Sequence, residues 1–178
     1  ASFVSLGDGR NAFLYLEDAR GVDIRANAEV VVQVVKAARK GKGARVSARV
    51  SLPGRFLVLV PGGNETGVSK RILDEGERKR LRQIARALRP TGFGVIVRTV
   101  AEGVSAEALQ GDLAMLLELW EEISSLAESQ SAPSLLYRDI GLVGRILRDE
   151  LNGDVSEIVV DCPEEYEKVA AYVHDFFS

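Results

Sequence analysis

An arginine and a threonine in the middle of the chain have side chains suited to bind phosphate. The stretch from Gly92 to Gly103 starts as an apolar, β-branched run typical of a buried strand and ends in Arg98 and Thr99 before a helix start. Arginine offers a planar fork of donors and threonine a rotatable hydroxyl, and both suit phosphate oxygens. Charged groups seldom end a buried strand unless they are paired or functional. The alternative is that Arg98 pairs with Glu102 or another carboxylate and merely closes the strand.

Two phenylalanines near the N-terminus form a second candidate site. The runs 3–6 and 12–16 flank a Gly-Asp-Gly-Arg turn, a hairpin signal that places Phe3 opposite Phe13. Period-two alternation predicts an aromatic face and an aliphatic face, which hold Phe3, Phe13 and Tyr15 and, on the other side, Val4, Leu6, Ala12, Leu14 and Leu16. Because the aliphatic face needs the core, the rings should look outward, where they can stack on bases. Alternatively, the rings pack against another domain or an absent strand.

The charges are unevenly distributed, although the net charge is only −3. Between Val30 and Asn64 there is no acidic residue, and the basic residues are Lys36, Arg39, Lys40, Lys42, Arg45, Arg49 and Arg55. Such a run favours a polyanion such as nucleic acid, with a solvated basic face as the ordinary alternative. Residues 149–178 are rich in carboxylates, and we expect them to avoid nucleic acid.

The composition is that of a globular protein, with 46% hydrophobic and 28% charged residues in 178. No apolar run approaches the ~20 residues of a membrane span, and the first residues do not resemble a signal peptide. The single cysteine, Cys162, excludes an internal disulfide, and we expect it to be buried. A cytoplasmic location fits these properties.

Residues for hydrolytic catalysis are poorly represented. The one histidine, His174, lies in the acidic C-terminal segment, without a nucleophile context. Asp161 ends a predicted strand, where metal-binding carboxylates occur, but Asp161 or Cys162 before Pro163 is also a natural helix N-cap. No second carboxylate is placed to complete a two-metal site. We predict no catalytic residue, metal site or cofactor in this chain. A small metal-dependent nuclease using Asp161 is the alternative from another class.

The elements that must position these residues follow from periodicity and caps. Residues 1–50 are predicted to be β-structure, with strands at 30–36 and 44–50 after the hairpin. The middle alternates strands and helices, with Asp74 and Ser105 as helix N-caps and Trp120 in an apolar helix stripe that faces the core. In the last third we predict strands at 135–136 and 158–160, a helix carrying Val143, Ile146, Leu147 and Leu151, and a closing helix from Pro163.

The chain resembles the bacterial ribonuclease E/G endoribonucleases. The matching stretches are residues 41–45, 51–61, 67–72, 92–99, 101–103 with 105–107, and 132–136. They keep the family's order across nearly the whole chain.

This resemblance implies an α+β, multidomain architecture. Residues 1–48 are similar to part of an RNA-binding OB-fold barrel of the ribosomal-protein-S-one type. Residues 49–143 are similar to an α/β sensor of the RNA 5′ end, and residues 144–178 to part of an RNase H-like subdomain that is structural in this family. The stretch 18–27 is shorter than the family's usual barrel loop.

The resemblance also assigns roles to individual residues. Phe3 and Phe13 match stacking aromatics, and Lys42 matches a loop lysine that meets RNA. In the sensor, Arg98 and Thr99 match the pair that grips a terminal monophosphate. Two further sensor residues are Gly54 and Val58, which match positions that contact the phosphate and the terminal base.

We therefore expect the RNA-recognition part of an endoribonuclease that processes or degrades single-stranded RNA and senses a 5′ monophosphate. Catalytic Mg²⁺, with structural Zn²⁺ as a further possibility, belongs by the resemblance to segments of the longer enzyme that this chain lacks, as do the zinc-link cysteines. The partner is single-stranded RNA, and the longer protein is expected to be a homo-oligomer. The alternative is a stand-alone, non-catalytic RNA-binding module.

Overall fold

The computed structural model describes residues 1–19, 21–39, 41–139, 141–151 and 155–177. The chain divides into two compact units, Ala1–Tyr137 and Arg138–Ser178. Lys40, a member of the predicted basic run, lies outside the described residues. Sheets and helices together make the fold mixed α+β, as predicted.

Among its described residues, the first unit contains two four-stranded sheets, two α-helices and two 3-10 helices. In chain order they are β1 (Ser2–Ser5), β2 (Asn11–Leu14), a 3-10 helix (Leu16–Ala19), β3 (Gln33–Lys36), β4 (Arg45–Ser47), β5 (Leu52–Pro53), β6 (Leu57–Pro61), β7 (Thr66–Val68), α1 (Glu75–Leu88), β8 (Phe93–Val97), a 3-10 helix (Thr99–Ala101) and α2 (Ala106–Ser129). The second unit contains α3 (Leu142–Glu150) and α4 (Pro163–Phe177).

The first sheet has the order β1-β2-β4-β3 and confirms the predicted hairpin. β1 and β2 are antiparallel with Phe3 opposite Phe13, β2 and β4 are parallel, and β3 and β4 are antiparallel. The aliphatic face covers a small core built from Ala12, Leu14, Ala19, Ala44 and Val46. The prediction for Leu16 is wrong, since 59% of it is exposed. The strand ends at Leu14, and the following 3-10 helix breaks the period of two.

Two strands of this sheet are shorter than predicted. β3 starts at Gln33 instead of residue 30, and β4 covers only part of the predicted 44–50 strand. At the end of β4, the hydroxyl of Ser47 accepts a hydrogen bond from the Arg49 N–H at 3.0 Å. Such a local bond turns the backbone away from a strand. Apolar and polar residues still alternate in the sequence up to residue 50, so the pattern predicts a longer β4 than the backbone forms.

The second sheet has the order β5-β6-β8-β7 and carries the larger core. β6 and β8 are antiparallel and β8 and β7 are parallel. Its buried face packs on α1 and α2 through a cluster that includes Leu57, Leu59, Val95, Val97, Leu81, Leu109 and Leu113. β5 and β7 were not predicted, because two or three residues are too few for a periodic signal.

Both long helices begin at the predicted N-caps. The Asp74 carboxylate accepts the Glu77 N–H at 2.6 Å, and the Ser105 hydroxyl accepts the Ala108 N–H at 3.2 Å. Trp120 is half-buried and packs against the core, which confirms its place in the apolar stripe of α2. Across the described residues, no helix is long and apolar enough to cross a membrane.

In the last third, the two helices are as predicted but the two strands are wrong. Residues 135–136 and 158–160 have no strand hydrogen bonding in the described structure, and Val159 is 82% exposed. A short apolar run becomes a strand only when a partner supplies its backbone bonds. Leu147 and Val169 are buried, one on each helix of this unit. The burial prediction for Cys162 is also wrong, since it is exposed next to the first residue of α4.

Candidate nucleic-acid interface

The aromatic face of the first sheet is exposed, as the alternation predicted. The ring centroids of Phe3 and Phe13 lie 5.0 Å apart with an interplanar angle of 54°. Phe3 is 64% exposed, Phe13 38% and Tyr15 44%. We call Phe3, Phe13 and Tyr15 the aromatic row.

Cations continue this face across the sheet. Phe13 has Arg45 as its neighbour on β4, and Arg45 has Lys36 as its neighbour on β3. Lys42 is exposed in the turn before β4, where the backbone groups of Arg39 and Lys42 bond each other at 2.9 and 3.1 Å. The next residue must be small, because a Cβ at Gly43 would collide with the carbonyl of Asn11. The turn that carries Lys42 therefore passes close to the start of β2.

Carboxylates from outside the basic run partly neutralise it. Arg45 Nη2 donates to Asp18 Oδ2 at 2.9 Å, and Arg49 forms a 3.5 Å ion pair with Glu65. The hydrogen bond that Arg45 donates to Asp18 raises the pKa of the Arg45 guanidinium. Asp18 and Glu65 lie outside the stretch from Val30 to Asn64, so the charge pattern of that stretch does not include them. The positive charge of the face is smaller than the sequence indicates.

The second candidate site lies where β7 and β8 end. Because these strands are parallel, their carboxyl ends meet, and the hydroxyls of Ser69 and Thr99 lie 2.8 Å apart. Arg98 follows β8 directly, and its Nη1 donates to the carbonyls of Gly54 at 2.6 Å and Arg55 at 3.1 Å. The described bonds of Arg98 thus include backbone carbonyls of the β5–β6 loop, which the sequence did not predict.

Asp112 on α2 shapes that loop. Its carboxylate accepts the N–H groups of Arg55, Phe56 and Leu57 at 2.9, 2.9 and 2.8 Å. The Gly54 N–H donates to the Leu57 carbonyl at 2.8 Å. A Cβ at Gly54 would lie 2.6 to 2.9 Å from the carboxylate atoms of Asp112, so a larger residue would push the carboxylate away. Sequence reasoning missed Asp112, since it is more than fifty residues away from the loop along the chain.

An apolar surface adjoins Arg98 on the outer face of the second sheet. Val58 and Ile96 are cross-strand neighbours, Val58 half-buried and Ile96 exposed. Ile96 and Arg98 are two residues apart and therefore point to the same side of β8. Of the predicted sensor positions, the structure thus brings Val58 and Gly54 to the neighbourhood of Arg98 and Thr99.

Further basic residues lie next to Ser69 along the chain or bond its backbone. Lys70 and Arg71 follow Ser69 and are exposed, and the Arg71 N–H donates to the Ser69 hydroxyl at 3.3 Å. Arg78 from α1 donates to the Ser69 carbonyl at 2.6 Å. This concentration of donors and positive charge can bind an anion at the strand ends.

Comparison with known proteins identifies the family. The sequence profile of the Ribonuclease E/G family matches residues 51–178. Ribonuclease E from a Nostoc species is 39% identical over 99% of this chain and 27% of its own length. Ribonuclease E from Escherichia coli is 36% identical over 97% of this chain and 18% of its own length, and Ribonuclease G from the same species 31% over 99% and 40%. The chain therefore belongs to the Ribonuclease E/G family, as its resemblance indicated, and spans well under half the length of these relatives.

Proposed function

We propose that this chain is the RNA-recognition part of an endoribonuclease that processes or degrades single-stranded RNA and senses a 5′-monophosphate end. The Phe3–Phe13 ring pair, exposed on a sheet face that Arg45 and Lys36 continue, carries the proposal. Bases stack on aromatic rings whatever the sequence, each for ~1–3 kcal/mol, and an exposed ammonium such as that of Lys36 attracts the phosphates. A stand-alone, non-catalytic module that binds single-stranded RNA is the alternative.

Each region of the chain has a part in this proposal. We assign residues 1–48 to a partial OB-fold barrel, residues 49–143 to the 5′ sensor and residues 144–178 to part of an RNase H-like subdomain. A sheet whose exposed face carries aromatic rings supports the first assignment, since OB-folds bind oligonucleotides on a strand face. The division of the chain after Tyr137 lies close to the second proposed boundary.

The proposed phosphate site consists of Arg98, Thr99 and Ser69. Two hydroxyls 2.8 Å apart and a guanidinium on the adjacent residue offer donors to the oxygens of one terminal phosphate. The Arg98 bonds to the carbonyls of Gly54 and Arg55 hold the guanidinium beside this position. An arginine whose orientation is set in advance loses less entropy on binding.

Gly54 and Val58 complete the proposed sensor. The Gly54 N–H is already bonded to Leu57, so we assign its contribution to the space left by the missing side chain. Val58 with Ile96 provides an apolar surface for the terminal base. In this arrangement the sensor reads the phosphate by charge and the base by contact.

We assign no metal ion to the residues of this chain. In the part of the chain that the structure describes, no three His, Cys, Asp or Glu side chains are grouped to hold one. The donor set therefore does not fit the Mg²⁺ or Zn²⁺ that the family resemblance implies, and we assign both to the rest of the longer enzyme. The cytoplasmic location and homo-oligomeric state of that enzyme belong to the same proposal.

The test measures binding of the 178-residue chain to single-stranded RNAs that carry a fluorophore at the 3′ end and differ only in a 5′-monophosphate or 5′-hydroxyl. We expect tighter binding of the monophosphate form. Arg98→Gln and Thr99→Val should each reduce this preference, by ~1.5–3 kcal/mol for the charged donor and less for the hydroxyl. Arg89→Gln is the matched control, because Arg89 also donates to a backbone carbonyl, that of Phe93, at the other end of β8.

Two results would contradict the proposal. Equal affinity of the wild-type chain for both RNAs would overturn 5′ sensing. Phe13→Ala should weaken both RNAs alike, and unchanged binding by this variant would overturn the stacking assignment. Thermal unfolding of each variant checks that its fold is retained.

A further inference from the structure

Tyr15, Arg45 and Asp18 form a compact group next to the Phe3–Phe13 pair. Arg45 Cζ lies 4.7 Å from the centroid of the Tyr15 ring, so the guanidinium covers the ring. The same guanidinium donates to the Asp18 carboxylate at 2.9 Å. Contact with a ring on one side and a carboxylate at the edge gives a planar guanidinium a defined orientation.

This group continues the surface of the Phe3–Phe13 pair in one direction. Tyr15 comes two residues after Phe13, directly after β2 ends at Leu14, and is about 7 Å further along the chain. Arg45 is the neighbour of Phe13 on the adjacent strand. A base stacked on Phe13 would therefore have the Tyr15–Arg45 surface beside it.

The charge of the group suits a base better than a phosphate. Asp18 compensates the positive charge of Arg45, whereas no carboxylate bonds the ammonium of Lys42 in the described structure. A guanidinium keeps its planar surface when its charge is compensated, and RNA bases stack on guanidinium planes as they do on aromatic rings. The Arg45 side chain is 44% exposed, so a ligand can reach it.

We propose that the Tyr15–Arg45 pair is an additional stacking site for a base of single-stranded RNA, with Asp18 as the residue that positions the guanidinium. This inference rests on the proposed RNA binding and adds to it. The occupant is a base of the strand that stacks on Phe13, because the compensated charge removes the reason for a phosphate to bind here.

The test compares two strands of equal length, a hexa-adenylate and its fully abasic sugar-phosphate counterpart, each titrated with the 178-residue chain at several salt concentrations. We expect Arg45→Leu and Tyr15→Leu each to weaken the hexa-adenylate about five- to tenfold and to leave the abasic strand unchanged. The slope of log affinity against log salt should stay the same, because no phosphate contact is lost. Arg45→Lys keeps the charge without the planar surface and should behave like Arg45→Leu.

Arg25→Leu is the matched control. Arg25 also pairs with an aspartate, Asp23, and its side chain is exposed, but no aromatic ring contact is described for it. This variant should bind both strands like the wild-type chain. Thermal unfolding confirms that each variant is folded.

Two outcomes would overturn the inference, and Phe13→Ala distinguishes failure of the additional site from failure of RNA binding. Equal losses for both strands with a shallower salt slope would make Arg45 a phosphate contact. Unchanged binding by folded Arg45→Leu would mean that Tyr15, Arg45 and Asp18 have only a structural role. If Phe13→Ala also has no effect, the proposed RNA binding itself fails. If Phe13→Ala weakens the hexa-adenylate and Arg45→Leu does not, the additional site alone is wrong.

Discussion

At the scale of single residues, the first sheet presents exposed aromatic rings and exposed ammonium groups at different positions. Phe13 is an exposed ring whose contact with a base would displace few ions. Lys42 is exposed in the turn before β4, where its ammonium can approach a phosphate. The guanidinium of Arg45 lies over the Tyr15 ring, and the Asp18 carboxylate accepts its hydrogen bond and compensates its charge. Residue type alone therefore does not tell which basic side chains carry a compensated charge.

The salt dependence of RNA binding tests this separation. Phe13→Ala should lower the affinity for single-stranded RNA by a factor that is nearly independent of salt. Lys42→Ala should instead make the slope of log affinity against log salt shallower by about 0.7, the value for one phosphate contact to a single strand. Titrations at four or more salt concentrations measure both. If the two variants change only the slope, Phe13 does not stack on a base.

At the scale of elements, helix α2 holds the loop between β5 and β6. The loop's own sequence, Pro53-Gly54-Arg55, indicates a turn but not its conformation. Three consecutive N–H groups of the loop donate to the Asp112 carboxylate, and Arg98 donates to two of its carbonyls. The loop conformation thus depends on α2 and β8 together.

Asp112→Asn should destabilise the protein by about 1–3 kcal/mol. The amide removes the charge and one acceptor, so a backbone N–H of the loop loses its partner. Denaturant unfolding measures the loss, and amide exchange at Arg55, Phe56 and Leu57 shows whether it starts in the loop. Glu118→Gln, an exposed change on the same helix, is the control. Unchanged exchange at all three amides would show that Asp112 does not hold the loop.

A second link between elements is sensitive to acid. Glu77 near the start of α1 bonds Arg80 at 2.6 and 2.7 Å and accepts the Gly103 N–H at 2.8 Å. The Arg80 guanidinium, followed by the Gly103 N–H, lowers the pKa of Glu77 to about 2 from its ordinary value of 4.5. A folded-state pKa below the unfolded value stabilises the protein above pH 4.5, and this contribution is lost as the pH falls towards 2. Solvent around the partly exposed Arg80 keeps the effect small.

The stability of Glu77→Gln across pH tests this link. The unfolding midpoint of the variant should lie below that of the wild-type chain above pH 4.5, and the difference should shrink as the pH falls towards 2. Glu75→Gln is the control, since Glu75 is exposed and its distance to Arg78 is 3.8 Å. A difference that stays constant from pH 7 to pH 2.5 would show that Glu77 does not titrate as stated.

At the scale of the whole molecule, binding and cutting of RNA are separate questions. The chain spans 27% of the Nostoc ribonuclease E and 40% of the Escherichia coli ribonuclease G. Within the described ranges, acidic side chains are not grouped as a metal site, and Asp161 is exposed before α4. Cleavage by this chain is therefore tested separately from the RNA recognition that we propose.

We expect the 178-residue chain to bind single-stranded RNA and to leave it uncut in the presence of Mg²⁺. Gel analysis of an end-labelled RNA over a Mg²⁺ titration measures cleavage, and anisotropy on the same preparations measures binding. Asp161→Asn is the matched variant. Mg²⁺-dependent cleavage that disappears in Asp161→Asn would favour the metal-dependent nuclease alternative instead.

What depends on close neighbours along the chain could be predicted from the sequence. The exposed face with Phe3 and Phe13 follows from alternation within one hairpin, and the helix starts at Asp74 and Ser105 follow from a side chain that bonds an N–H three residues on. Leu16 shows the limit of such rules, because one turn of 3-10 helix ends the alternation. The family resemblance likewise needed no coordinates.

What depends on distant residues was decided by the tertiary structure. Parallel pairing of β7 with β8 brings Ser69 to Thr99, helix packing brings Asp112 to the loop at Gly54, and the first sheet brings Asp18 to Arg45. Each of these bonds joins residues at least 27 positions apart, so no local pattern encodes it. Strand formation at 158–160 has the same dependence, since backbone bonds need a partner strand. Interactions between residues close in sequence determine the hairpin and the helix starts, and packing between these elements determines the candidate sites.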